Sequence, residues 1–165
     1  MAEGSGYQQL KNLSTIAEIL TVAIRFETTA RDFYNAMQSK VSKRLRYLVD
    51  ELASEEQQHM DLFTKLMQQD NLAEVLQQEI ERPASDHKFS DCIHLPELGD
   101  APDDQAILQY ALMREHAAME QYTALAKTAP EGPVKALFML LANEETKHKN
   151  DLEKLYYEIV HSGGV

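Results

Sequence analysis

Ala53-Ser54-Glu55-Glu56-Gln57-Gln58-His59 and Ala142-Asn143-Glu144-Glu145-Thr146-Lys147-His148 are one phrase written twice in this chain. Each lies on a stripe of apolar residues spaced alternately by three and four, the mark of a helix with one buried face. One stripe runs Leu45, Val49, Leu52, Glu56, His59, Phe63, Leu66; the other runs Val134, Phe138, Leu141, Glu145, His148, Leu152, Leu155, Ile159. An acid and a histidine three residues apart therefore project side by side from a face that should be core. Two further stripes are interrupted in the same way. Glu27 stands within Leu13, Ile16, Leu20, Ala23, Ala30, Tyr34, Met37, and Glu115 within Leu108, Ala111, Ala118, Tyr122, Leu125.

These stripes predict an all-α fold, a four-helix bundle of two antiparallel hairpins within a single domain over 1–165. The helices are expected at about 10–40, 43–70, 103–128 and 133–161. Ser14 and Ser42 are the expected N-caps of the first two. Ala129-Pro130-Glu131-Gly132-Pro133 breaks the last two apart, with Pro133 suited to a first helical position. Between about 71 and 102 the periodicity fades. Asn71–Ile80 predicts a short helix, and Pro83, Pro96, Gly99 and Pro102 mark an irregular stretch after it. A connection of that length can run the length of a bundle. Met1–Gly6 and His161–Val165 are expected to fray.

The halves repeat each other. Ala23-Ile24-Arg25-Phe26-Glu27 aligns with Ala111-Leu112-Met113-Arg114-Glu115, and the alignment continues to Tyr34 and Tyr122. Glu27 and Glu56 are centred on the break at Val41–Ser42, and Glu115 and Glu145 on Pro130. At a rise of ~1.5 Å per residue each acid stands ~20 Å from its turn, so partners are level. All four stripes can then bring Glu27, Glu56, His59, Glu115, Glu145 and His148 to one depth.

Four buried carboxylates need compensation, since each alone costs several kcal/mol. Lys and Arg are absent from the inner stripes, so two divalent cations are the natural counter-charge. Glu56 and Glu145 could each bridge both ions, with Glu27 and Glu115 as terminal ligands and one histidine per ion. The set is oxygen-rich and without thiolate, which suits Fe or Mn and disfavours structural zinc.

With 16 basic and 27 acidic residues the formal charge is −11, which argues against nucleic acid and anionic membrane surfaces as partners. No apolar run reaches the ~18–20 residues that cross a bilayer. The polar start, Met1 to Lys11, predicts no secretory signal, and the one cysteine, Cys92, excludes CxxC motifs and an internal disulfide. A cytoplasmic location is the expectation.

On the two Glu-x-x-His pairs and the two matched acids, the chain resembles the rubrerythrin and ferritin-like superfamily over about residues 10–160. The resemblance implies a ferritin-like bundle with a di-iron centre that reacts with hydrogen peroxide or dioxygen, and a homodimer. It also implies that Tyr34 and Tyr122 hydrogen-bond to ligands; as core aromatics they would equally need no function. Rubrerythrins with an electron-transfer module carry paired CxxC motifs, absent here, so a separate electron donor is expected. Their third helix often has a further Glu where this chain has Ala118, which brings the site closer to the six-ligand ferroxidase centre. Haem-binding relatives place Met where this chain has Gln57, so no haem is expected. Other functions within reach are Fe(II) oxidation or iron storage, a non-catalytic sensor or interaction protein, and an oxygenase on an organic substrate. Glu55, Glu144, Glu120, Asp32 and His116 point away from the stripes and read as solvated, Cys92 and His94 as structural, and the seven Met residues as core filler.

Overall fold

The computed structural model describes residues 13–81, 89, 92, 98–99 and 102–163. In chain order the elements are β1 (Leu13–Thr15), α1 (Ile16–Met37), α2 (Lys43–Met67), a 3-10 turn (Asp70–Leu72), α3 (Ala73–Leu76), β2 (Glu79–Glu81), α4 (Asp104–Thr128) and α5 (Pro133–Gly163). The four long helices form the bundle that the stripes predict, with α1 packed along α2 and α4 along α5. No helix among the described residues is long and apolar enough to cross a membrane.

The start of α1 differs from expectation. Thr15, not Ser14, is the cap: its hydroxyl accepts from Glu18 N at 3.1 Å, and Glu18 returns its carboxylate to Thr15 N at 3.2 Å. Ser14 is instead in β1, opposite Ile80 of β2 in a two-stranded antiparallel ladder. The segment expected as a short helix thus divides in two. Asp70–Leu76 coils, and Glu79–Glu81 is extended, with Ile80 buried. Strand pairing outweighs weak helix periodicity there because β1 supplies a tertiary partner.

Ser42 precedes α2 but makes no side-chain cap; its backbone N–H donates to Asp104 Oδ1 at 3.0 Å. The α1–α2 turn therefore lies beside the start of α4. Arg44 pairs with Glu158 at 3.0 Å, which sets the end of α5 there too. Since α2 finishes at the opposite end, the chain between α2 and α4 traverses the bundle. Asp103 caps α4, accepting from Ala106 N at 2.8 Å. Gly132, at φ 129°, takes a backbone conformation that favours glycine, and Pro133 opens α5. The helix α5 continues through His161 to Gly163, past the expected fraying point.

The apolar interior is in two parts. One gathers Ile16, Leu20, Phe63, Leu66, Tyr122, Phe138 and Leu141 at the β1 end. The other gathers Phe33, Tyr34, Leu45, Val49, Leu52, Leu108 and Leu152 at the far end. Between them lies a layer of buried acids and histidines.

Candidate metal centre

Glu27, Glu56, His59, Glu115, Glu145 and His148 are all buried and meet in that layer. They form two overlapping clusters: Glu27, Glu56, His59 and Glu145, and Glu56, Glu115, Glu145 and His148. In each, one donor atom per residue lies within 4.8 Å of every other. The shared acids divide their oxygens between the clusters. Glu56 Oε2 is 3.5 Å from His59 Nδ1, and its Oε1 is 3.7 Å from His148 Nδ1. Glu145 Oε1 is 3.2 Å from His59 Nδ1, and its Oε2 is 3.5 Å from His148 Nδ1.

Glu27 and Glu115 each serve one cluster. Glu27 Oε2 is 3.5 Å from His59 Nδ1, and Glu115 Oε2 is 3.5 Å from His148 Nδ1. Their other oxygens are held by phenols across the bundle. Tyr122 donates to Glu27 Oε1 and Tyr34 donates to Glu115 Oε1, both at 2.6 Å. Each tyrosine thus braces the acid of the other half of the repeat.

Seven donor atoms turned inward have no hydrogen-bond partner: Glu27 Oε2, both oxygens of Glu56 and of Glu145, and Nδ1 of His59 and His148. Unpaired polar atoms are rarely buried together, because each loses its hydration without return. A pair of cations answers that deficit directly. The donor set is hard, and its four carboxylates match two divalent charges, so the residues fit a di-iron or di-manganese centre.

Electrostatics show what the layer does to its own groups. Burial pushes the Glu56 carboxyl well up, and the charges of Glu145 and Glu27 push it further. Burial also acts to raise Glu27, but the adjoining Glu56 carboxyl, His59 and the Tyr122 hydroxyl hold it down at about 2. Burial alone would lower both imidazoles; instead the charge of Glu27 and the contacts with Glu144 and Glu145 drive His59 up, and Glu145 with Glu56 carries His148 up to about 9. Burial lifts the Tyr34 and Tyr122 phenols far above their usual range, so both stay protonated donors. Protons do part of the neutralising that cations would do.

Two features depart from the sequence reading. Glu55 and Glu144 are not merely solvated. Glu55 Oε2 contacts His148 Nε2, and Glu144 Oε2 contacts His59 Nε2. They lie about 100° from Glu56 and Glu145 round their own helices, and it is the facing helix that brings a histidine edge to them. A cation is also present in the core. Arg114, 1% exposed, donates through Nη1 to the Cys92 carbonyl at 2.8 Å and the Tyr110 hydroxyl at 3.0 Å, and through Nη2 to the Phe26 carbonyl at 3.0 Å. Arg114 lies off the α4 stripe, so apolar spacing gave no sign of it. Its only signal was an arginine where the repeat places Phe26. Cys92 is buried beside it, while His94 lies outside the described residues. Asp32 pairs with Arg31 at 3.0 Å, and His116 with Glu120 at 2.7 Å.

A family model described as Rubrerythrin matches residues 18–93 and 106–162, leaving out only the chain ends and the last part of the crossover. The chain belongs to the rubrerythrin family. This family member is also similar to two solved structures. One is described as a dodecameric thioferritin, the bacterioferritin-related protein from Bacteroides fragilis: 19% identity, 98% of this chain and 97% of that chain covered, TM-score 0.66. The other is a hypothetical protein from Pyrococcus furiosus: 23% identity, 89% and 91% covered, TM-score 0.65. At these identities the likeness shows the fold, a ferritin-like helical bundle. No curated protein sequence matches the chain significantly.

Proposed function

We propose that this rubrerythrin-family protein is a non-haem di-iron redox protein that reduces hydrogen peroxide or dioxygen with electrons from a separate donor. The observation that supports it most is the pair of buried clusters sharing Glu56 and Glu145, with seven inward donor atoms unpaired. Glu27 and His59 complete one ion's set, and Glu115 and His148 complete the other's. Two bound ferrous ions would supply the two electrons that, with two protons, turn one peroxide into two waters.

The chain's own residues do the rest. Helices α1, α2, α4 and α5 hold the acids level, and the apolar layers above and below exclude water. Tyr34 and Tyr122 fix one oxygen of each terminal acid and leave the other turned inward. Ala118, buried on α4, adds no fifth carboxylate, which keeps the donor set symmetric.

A second reading is iron handling, in which Fe(II) is the substrate, oxidised and passed on or stored. The assembly in the name of the Bacteroides fragilis neighbour prompts it. Storage needs a closed shell of many copies, whereas we propose a homodimer, so the mass in solution separates the two.

The test begins with metal-free protein and two equivalents of Fe(II) added without oxygen, then mixing with peroxide or with air. Faster growth of ferric absorbance with peroxide supports peroxide reduction. Faster growth with air favours the ferroxidase reading. Failure to take up two irons overturns the di-iron centre, and full loading without reaction with either oxidant points to a non-catalytic role.

A further inference from the structure

Arg114 is the only buried Lys or Arg among the described residues. Its guanidinium ends on neutral acceptors: Nη1 on the Cys92 carbonyl and the Tyr110 hydroxyl, Nη2 on the Phe26 carbonyl. Its Nε has no hydrogen-bond partner, and no described carboxylate pairs with it. The rings of Phe26 and Tyr110 flank the guanidinium carbon, with centroids at 4.7 and 5.7 Å. A buried charge is normally matched by an opposite charge at contact. This one is not.

The only buried carboxylates among the described residues are the four of the centre. Arg114 directly precedes Glu115 on α4, and Nη2 holds the peptide group that joins Phe26 to Glu27 on α1. The cation is thus tied within one residue of both terminal acids. The repeat has Phe26 at the equivalent position, so the two halves carry one cation between them.

We infer that Arg114 is a fixed charge that raises the reduction potential of the metal pair and so favours its lower oxidation state. This rests on the di-metal reading of the centre. Two divalent ions balance the four carboxylates, and the guanidinium then leaves the interior with one positive charge in excess. Each electron that leaves the pair adds a further positive charge to the same poorly solvated region, and a permanent cation opposes that. A guanidinium does not shed its proton, so the effect persists across pH. Burial also keeps salt from screening it. At an effective dielectric of about 20, a unit charge on the order of 10 Å away shifts a one-electron equilibrium about tenfold.

The test uses the full chain loaded with two iron ions, as wild type and as Arg114→Lys, Arg114→Gln and Tyr110→Glu, with potentials read by EPR-monitored titration. Arg114→Lys keeps the charge, and Arg114→Gln keeps an amide donor without it, so both lose bonds but only one loses the cation. Tyr110→Glu leaves Arg114 and its two carbonyl bonds in place and sets a carboxylate four residues before it on α4, within reach of the guanidinium. Arg114→Lys should hold close to the wild-type potential. Arg114→Gln and Tyr110→Glu should each favour the oxidised pair by about tenfold per electron, ~59 mV. Zn(II), which has no redox chemistry, should bind Arg114→Gln at least about tenfold more tightly than Arg114→Lys, because a nearby cation has gone. Should Arg114→Gln not fold, Tyr110→Glu carries the decision alone. A wild-type potential in Tyr110→Glu, or equal potentials and Zn(II) affinities in the two Arg114 variants, overturns the inference and leaves Arg114 a brace between helices. Failure of the wild type to take up two ions overturns the metal reading, and this inference with it.

Discussion

Hairpins α1–α2 and α4–α5 bring matching acids and histidines to the centre, but one residue before the first acid of each the match ends. In α1 that residue is Phe26, and in α4 it is Arg114. The two meet: the Arg114 guanidinium carbon lies 4.7 Å from the Phe26 ring centroid, and Nη2 binds the Phe26 carbonyl. The crossover covers both, with Phe89 stacked on Phe26 at 4.2 Å and Cys92 accepting from Arg114. Solvent contact differs as well. His59 is 1% exposed and His148 7%. What faces the centre is duplicated, because two ions ask the same of both halves. The layer behind it is not, because the connection between the hairpins exists once and passes on one side.

The comparison breaks most severely at the shared acids. Glu56→Ala and Glu145→Ala each remove an oxygen from both clusters, so calorimetric titration with Fe(II) under argon should lose paired binding altogether. Glu27→Ala and Glu115→Ala touch one cluster each and should leave one ion bound. A Glu56→Ala or Glu145→Ala protein that still takes up two ions at full strength would end the bridging assignment.

Next in size is the unmatched pair. Arg114→Met removes the buried bonds to the Phe26 and Cys92 carbonyls and to the Tyr110 hydroxyl, and urea unfolding should show a loss of about 3 kcal/mol. Phe26→Leu, at the equivalent position, keeps those bonds and should cost about 1 kcal/mol. Equal losses would mean that the repeat holds further out than the structure shows. Tyr34→Phe and Tyr122→Phe should then cost about 2 kcal/mol each, since each removes one donor from a buried carboxylate. Unequal losses in urea unfolding would locate a further asymmetry between the halves.

Loading should also depend on pH in a way that separates the half-sites. The His148 imidazole is pushed up to about 9, so below that pH it carries a proton that an incoming ion must displace. Affinity at its cluster should therefore rise about tenfold per pH unit up to about 9 and then level. His59 is pushed higher still, so its cluster should keep gaining beyond that point. Titration with Co(II) followed by optical spectra would show two uptake curves with different plateaus. The smallest effect is at the edge of the fold: Thr15→Ala removes the α1 cap and should cost about 1 kcal/mol, read as a lowered melting temperature.

The sequence by itself determined the bundle, the two hairpins and the six residues of the polar layer. Apolar spacing dictates which helix face is buried, and an acid on that face stands out in any reading of the spacing. It also placed Tyr34 and Tyr122 on buried faces, but not the acids they bind, which lie on the opposite half. Tertiary structure alone decided the rest. Glu55 and Glu144 lie off the stripes, and only the docking of α2 against α5 gives them histidine partners. Arg114 lies off its stripe too, and only α1 and the crossover, both distant in sequence, supply its carbonyls. The strand β1, which holds Ser14 ahead of α1, has its only ladder partner among the described residues in β2, far along the chain. In each case the deciding partner is distant in sequence, where periodicity carries no information.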